Sequence, residues 1–309
     1  MRLHENEKLF KNIVELTALK ENISSEIIEK DYYVILALKK LYEYDSNIVF
    51  VGGTALAKCF NIIKRFSEDI DLSVKHDSKK GAQKQTHKII ENIKTNWAWN
   101  IEDENKIFQD FKVIFLNYSM DNTKNDFKVE KRIRLELLTF LNPFPIVEKK
   151  ISPYVMKYLT DAELEEYDIK EIIVKTQEPY RTLFEKILLQ KELYQGFLDN
   201  NEERDDQIRR ARDFYDIHKI WEYYNKRFPF TKEQMLEMLE SRNLNRKNRL
   251  KIDLNNLSKN KLYDMYIKRN IKKQLEVNDK TKLTIRDLDC DSIEKSLKEI
   301  DIVLSQYNK

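Results

Sequence analysis

Only four glycines occur among the 309 residues, against a usual share of roughly 7%, and two of them, Gly52 and Gly53, stand side by side. With five prolines as well, the chain is expected to consist of long helices joined by polar turns. The adjacent pair therefore marks a place where the backbone itself has a task. It is preceded by Ile48-Val49-Phe50-Val51, a short apolar run of the kind that forms a buried strand, and Thr54–Ile63 after it reads as a helix.

Around this turn the hydrophobic period alternates between 3.6 and 2. Residues 6–44 give two helical patterns separated by a turn and cap at Asn22–Ser25. Asp69-Ile70-Asp71-Leu72-Ser73-Val74 alternates polar with apolar, which sets Ile70, Leu72 and Val74 on one face and both aspartates on the other. A helix is expected over Gln83–Ile93, with strands at Lys112–Tyr118 and Arg132–Phe140. The mixed part is expected to end near residue 150. Beyond it, Glu171–Thr176 reads as one short strand, and Tyr180–Tyr194, Asp206–Tyr224, Lys232–Ser241 and Ser292–Tyr307 read as helices. The expectation is an α+β chain: an αβ domain over residues 1–150 with a small mixed sheet flanked by helices, and a mainly helical domain over 151–309.

Composition removes several classes. Hydrophobic residues make up 41% of the chain, enough to bury a core and too many for intrinsic disorder. No apolar run approaches the ~18 residues of a membrane span, and the first twenty residues have no signal-peptide core, so a cytoplasmic protein is expected. Cys59 and Cys290 match no metal spacing, and Cys59 reads as a small core residue. The formal charge is only +3, yet residues 241–273 carry 11 Lys/Arg against 2 Asp/Glu, a local +9 that leaves the remainder at −6.

The chemistry is expected at the glycine turn. A strand–Gly-Gly–helix junction lets backbone N–H groups and the positive end of a helix approach a phosphate, since glycine has no side chain to block the oxygens; Thr54 adds a hydroxyl there or caps the helix. Aspartates at i and i+2 of a strand lie ~6.6–6.8 Å apart on one face, so Asp69 and Asp71 are suited to hold a pair of Mg²⁺ ions for an in-line phosphoryl displacement. Glu136, in Arg132-Ile133-Arg134-Leu135-Glu136-Leu137, is the candidate third carboxylate, sharing its face with Arg132 and Arg134. His218 lies on an apolar stripe and reads as a hydrogen-bonded core histidine.

Gly52-Gly53-Thr54-Ala55-Leu56-Ala57, followed by Arg65-x-Ser67-Glu68-Asp69-Ile70-Asp71-Leu72, resembles the AbiEii/AbiGii nucleotidyltransferase toxins, a branch of the DNA-polymerase-β-like superfamily. The resemblance extends to Glu29-Lys30-Asp31-Tyr32, Glu185-Lys186 and Arg212-Asp213-Phe214-Tyr215-Asp216, and covers roughly residues 25–225. It implies a polymerase-β-like nucleotidyltransferase domain, with Gly52, Gly53, Thr54, Arg65 and Ser67 at the nucleotide. It further implies that Asp69 and Asp71 bind metal, and that a helical lysine and a later aspartate, Lys186 and Asp213 by match, complete the site. Asp216 is an alternative to Asp213, and Lys30 and Asp31 are implied only as supporting residues. Read from their own surroundings without the resemblance, Lys186 is a solvated lysine beside Glu185, and Arg212 and Asp216 form an i,i+4 pair. Gly53 departs from the serine that many polymerase-β-like enzymes carry, which removes one side-chain contact to phosphate.

The activity this implies is Mg²⁺-dependent transfer of NMP from an NTP to an acceptor hydroxyl with release of pyrophosphate. The protein would be a toxin of a bacterial toxin–antitoxin, abortive-infection system that defends against phage, with a cognate antitoxin and an RNA acceptor, the tRNA 3′ end. The basic segment fits such a partner, with Tyr263 and Tyr266 as stacking residues. Two other readings are a nucleotidyltransferase acting on a small molecule, as antibiotic-modifying enzymes do, and an RNA-binding module without catalysis.

Overall fold

The computed structural model describes residues 2–65, 67, 69–74, 76, 78–103, 111–118, 130–139, 143–200, 211–245, 254–281 and 285–307. The chain divides into two compact units, one formed by residues 1–59 and 66–176, the other by 60–65 and 177–309.

The first unit opens with α1 (Glu7–Glu21) and α2 (Ser25–Tyr44), separated by Asn22 in the left-handed conformation. The strand β1 (Ile48–Val51) follows, then α3 (Gly52–Phe60), β2 (Ile70–Val74) and α4 (Lys79–Asn96). The remaining strands are β3 (Asn100–Asp103), β4 (Phe111–Asn117), β5 (Arg132–Leu138), β6 (Ile146–Ile151) and β7 (Ile172–Gln177), with a short α5 (Asp161–Glu166) between the last two. Together they form a seven-stranded mixed sheet in the order β3-β4-β5-β2-β1-β7-β6. β2 is central, antiparallel to β1 and parallel to β5.

All four residues of β1 are buried, as a strand covered on both faces requires, and Ile70, Leu72, Ile133, Leu135 and Leu137 are wholly buried. The α2 side chains Tyr32, Val34, Ile35 and Leu38 pack into the same core, and the Tyr33 ring stacks on Tyr118 with centroids 4.1 Å apart.

Two boundaries differ from the sequence reading. The mixed part does not stop at residue 150. β6 and β7 add two strands to the sheet, and the compact unit closes at Thr176, whose hydroxyl donates to the Phe50 carbonyl oxygen. The helix after the glycine turn starts at Gly52 and ends at Phe60 rather than running to Ile63, because Asn61 takes the left-handed conformation at φ +53° and stops it.

The second unit is helical: α6 (Pro179–Asn200), α7 (Arg212–Tyr223), α8 (Lys232–Asn245), α9 (Leu254–Lys259), α10 (Leu262–Lys268), α11 (Ile271–Thr281) and α12 (Cys290–Gln306). α6 packs on α7, and α12 on both α7 and α10. The core takes Leu183, Phe184, Ile187 and Leu188 from α6, Phe214, Ile217 and Trp221 from α7, and Ile293, Leu297 and Ile300 from α12. His218 is a core histidine as expected: its Nδ1 lies 2.9 Å from Ser296 Oγ in a buried hydrogen bond, and burial holds its pKa below the usual value.

Candidate functional site

In the first unit the turn between β1 and α3 brings backbone against carboxylate. Gly52 sits at φ +79°, and a Cβ placed on it would lie 2.1 Å from Asp71 Oδ2. The turn therefore needs glycine twice over: the left-handed conformation disfavours any other residue, and the Asp71 carboxylate fills the space a side chain would take. Gly53 follows in the first turn of α3, half-buried.

Thr54 is buried, and its hydroxyl donates to the Asp69 carbonyl oxygen at 2.5 Å. Thr54 Oγ1 also lies 2.9 Å from Ser67 Oγ. A hydroxyl has one proton, so with that proton on Asp69 the Ser67 hydroxyl donates in the second bond. Thr54 thus ties the first turn of α3 to the segment bearing the aspartates.

Asp71 and Asp69 are half-buried, while Ile70 and Leu72 are wholly buried, so the alternation read from the sequence holds. Asp71 is in register with Val51 on one side and Glu136 on the other, and neighbouring strands lie about 4.7–4.9 Å apart. Glu136 is consequently the carboxylate-bearing neighbour of Asp71 in the sheet. Its side chain is ion-paired with Arg134, a partner that the sequence reading placed on the same face without joining the two. Arg132 turns to Glu130 at 2.7 Å, with its guanidinium 4.0 Å from the Phe115 ring centroid.

The donors at this corner are carboxylate oxygens, the chemistry that a hard cation such as Mg²⁺ selects. Among the described residues no group of three His, Cys, Asp or Glu side chains is placed to hold an ion. The pair fits the ion in donor chemistry, and Glu136, beside Asp71 in the sheet, is ion-paired with Arg134. Glu68 lies outside the described residues.

Lys30 and Asp31 are buried and do not pair with each other. Lys30 Nζ donates to the Glu130 carbonyl oxygen at 3.0 Å, while Asp31 accepts from Lys58 Nζ at 2.6 Å and from the Tyr154 backbone N–H at 2.9 Å. Lys58, in the last turn of α3, was not singled out from the sequence. Its ammonium also lies 4.3 Å from the Tyr154 ring centroid. Cys59 is half-buried, packed against the core, with its thiol pushed up to about 12 by burial.

The second unit holds a separate cluster of charge. Lys186 on α6 is ion-paired with Asp213 and lies 3.0 Å from Asp216 Oδ2. Asp213 also accepts from Gln190 Nε2 at 3.1 Å, and Gln190 Oε1 accepts from Arg269 at 3.1 Å. Asp216 is wholly buried and takes both ends of the Arg65 guanidinium, Nε to Oδ1 and Nη2 to Oδ2, each at 2.6 Å. Burial pushes the Asp216 carboxyl up, but the charges of Arg65 and Lys186 outweigh it and hold the group at about 2.

Every residue from Asp213 to His218 is buried, and each carboxylate meets a cation, without which burying its charge would be costly. Two expectations are corrected here. Asp216 pairs with Arg65 and Lys186 rather than with Arg212. Tyr266, expected to stack on bases, is 1% exposed. Gln190 was missed, although its place one turn after Lys186 on α6 was legible. Arg269 was seen only as part of a basic run.

Within that run, Arg242 is buried and paired with Glu185 and with Glu192 at 2.8 Å, so among the described cations of the run Arg242 and Arg269 are internal. Residues 246–253, with Arg246, Lys247 and Arg249, lie outside the described residues. Lys259, Lys261, Lys268, Lys272 and Lys273 are exposed.

A glycine turn leading into a helix, laid against an Asp-x-Asp strand in a mixed sheet, is the arrangement that the resemblance to nucleotidyltransferases led one to expect. The model of the AbiEii nucleotidyl transferase toxins of type IV toxin–antitoxin systems matches residues 36–291, more than half of the chain, and the chain belongs to that family. It is a nucleotidyltransferase toxin. Among solved structures it is similar to MenT4, a nucleotidyltransferase toxin from Mycobacterium tuberculosis H37Rv, at 13% identity and TM-score 0.47 over 96% of this chain and 98% of that one. No curated protein matches. Among the described residues no helix is long and apolar enough to cross a membrane.

Proposed function

We propose that the chain transfers NMP from an NTP to the 3′ hydroxyl of an RNA, the tRNA 3′ end being the acceptor most consistent with its family, in a Mg²⁺-dependent reaction. The observation that carries this is the apposition of Gly52 to Asp71, with Asp71 in register beside Glu136.

In this reading the backbone N–H groups of Gly52 and Gly53, at the positive end of α3, receive the triphosphate oxygens. Asp69 and Asp71 would hold Mg²⁺, which when bound supplies neutralisation of the phosphate charge and activation of the acceptor hydroxyl. The acceptor oxygen forms its bond to the α-phosphorus as the bond from that phosphorus to the bridging oxygen of the β-phosphate breaks, and pyrophosphate leaves. Thr54 acts on geometry: by holding the Asp69 carbonyl and Ser67 it fixes where the two aspartates emerge. The role of Lys186, the neutralisation of developing charge on the phosphates, and that of Asp213 as its holder rest on the family match. Toxicity follows from modification of the acceptor and is opposed by a cognate antitoxin, the pair serving in phage defence.

Incubating the purified protein with Mg²⁺, α-labelled NTPs and total cellular RNA tests the reading directly. Label is expected on RNA with one or two of the four nucleotides, and absence of labelled RNA alongside pyrophosphate release would redirect the acceptor to a small molecule. That second reading draws support from the burial of Arg242, Arg269 and Tyr266, which removes three residues from the surface expected to hold RNA. A salt series decides what remains of it: replacing Lys259, Lys261, Lys268, Lys272 and Lys273 with Gln should flatten the slope of log K against log salt by ~0.7–0.9 for each phosphate that the lysines had neutralised.

A further inference from the structure

Arg65 lies in the motif that leads to the aspartates, where a guanidinium invites assignment to the triphosphate. Its placement is different. The side chain is 2% exposed, and Nε and Nη2 both end on Asp216, the fork geometry in which a guanidinium recognises a carboxylate. The backbone before it is held in the same unit: the Lys64 N–H donates to Tyr215 Oη at 2.9 Å, and the Lys64 carbonyl oxygen accepts from the Arg286 N–H at 3.2 Å. Tyr215 Oη in turn donates to Asp287 at 2.6 Å. This seat is built from side chains of α7 and the segment before α12.

Asp216 is also a partner of Lys186, whose other partner is Asp213. One ammonium thus faces two carboxylates, and Arg65 supplies the second cation that the cluster needs. Without it, Asp216 would be a fully buried anion with Lys186 as its remaining counter-charge in this cluster, and Lys186 would be drawn to it.

We propose that Arg65 is a positioning residue that acts through Asp216: by taking both oxygens of that carboxylate it draws its charge away from Lys186, which faces Asp213 as well, and so leaves the ammonium able to engage a phosphate group. This rests on the role given to Lys186 above. Arg65 then touches no nucleotide, and Asp216 is its receptor rather than a ligand of substrate or metal.

The test compares wild type, Arg65→Met and the double variant Arg65→Met/Asp216→Asn, which removes both charges together. Folding is read by thermal melting, NTP KM and kcat by pyrophosphate release, and Lys186 by its rate of labelling with an amine-reactive reagent, located by peptide mass spectrometry. Arg65→Met is expected to label Lys186 several-fold more slowly and, where it folds, to raise the NTP KM at least tenfold. The double variant should fold, restore the labelling rate, and return KM to within about threefold of wild type. A folded double variant with KM as high as Arg65→Met would place Arg65 on the nucleotide and overturn the proposal. Labelling of Lys186 at the wild-type rate in Arg65→Met and in the double variant alike would overturn it too. Should the wild type release no pyrophosphate with any NTP, the proposed transfer fails, while the labelling comparison still decides what Arg65 does.

Discussion

Two pairs of aspartates, one in each unit, are held in opposite ways. Asp69 and Asp71 are half-buried at the start of the central strand, set against glycine backbone and a backbone-anchored loop. Asp213 and Asp216 are buried on α7, the second with 0% exposure, and each meets a cation of the same unit. A carboxylate meant for an ion or a phosphate-bearing partner must stay where that partner arrives. One that belongs to the framework must be neutralised on folding, because an unpaired buried charge costs several kcal/mol. The contrast turns on where each charge finds its counter-charge, and substitutions should separate the two kinds.

The largest separation is expected in activity. Asp69→Asn or Asp71→Asn should lower nucleotidyl transfer by about 10³-fold or more while the melting temperature stays within a few degrees of wild type, checked by parallel pyrophosphate and thermal assays. The inverse pattern is expected at Asp216: Asp216→Ala leaves Arg65 buried without its carboxylate and should destabilise the protein by about 3–5 kcal/mol, read by urea denaturation. If Asp71→Asn were the unstable variant and Asp216→Ala the stable, inactive one, the assignment of the two regions would be reversed.

Gly52→Ala should fall between these. It places a Cβ in the space of Asp71 Oδ2 at a left-handed backbone position, a conformation that costs a non-glycine residue roughly 1–2 kcal/mol. Displacing Asp71 by even 1 Å is expected to lower activity about 100-fold. Comparable activity in Gly52→Ala would mean that the apposition has no part in transfer. Glu136→Gln should have a smaller effect than either aspartate variant, since the Glu136 side chain is engaged by Arg134.

The smallest expected effect is on acid stability. The Asp216 carboxyl is held at about 2 in the folded protein against an ordinary 3.8. A lowered folded value means that the unfolded chain binds more protons between the two, so this contribution is complete above about pH 4 and is lost as pH falls towards 2. Melting curves between pH 5 and pH 2 should show part of the acid sensitivity of the wild type missing in Asp216→Asn.

Much of this organisation was legible in the sequence because it lies in local pattern. The alternation of Asp69–Val74, the apolar run before Gly52 and the helix over Tyr180–Tyr194 are set by side-chain period, and each fell where it was expected. The placement of Glu136 opposite the core faces of Ile133, Leu135 and Leu137 was legible for the same reason, and its register with Asp71 followed once β2 and β5 paired. Partners distant in sequence were not legible. Nothing local tells Asp216 to choose Arg65, about 150 residues away, over Arg212 one turn behind it, and nothing tells Asp31 to choose Lys58 over Lys30. The domain limit was misplaced for a related reason: β6 and β7 join the sheet through pairing at long range, which no window of the sequence contains.

The central claim is that Asp69 and Asp71 carry out nucleotidyl transfer from the glycine corner of the sheet. Its most direct measurement is pyrophosphate release with Mg²⁺, the four NTPs and cellular RNA, by wild type and by the Asp69→Asn/Asp71→Asn double variant shown by circular dichroism to be folded. The account predicts release by the wild type that stops on chelation, and none above background from the double variant. Equal release from the two proteins would contradict it.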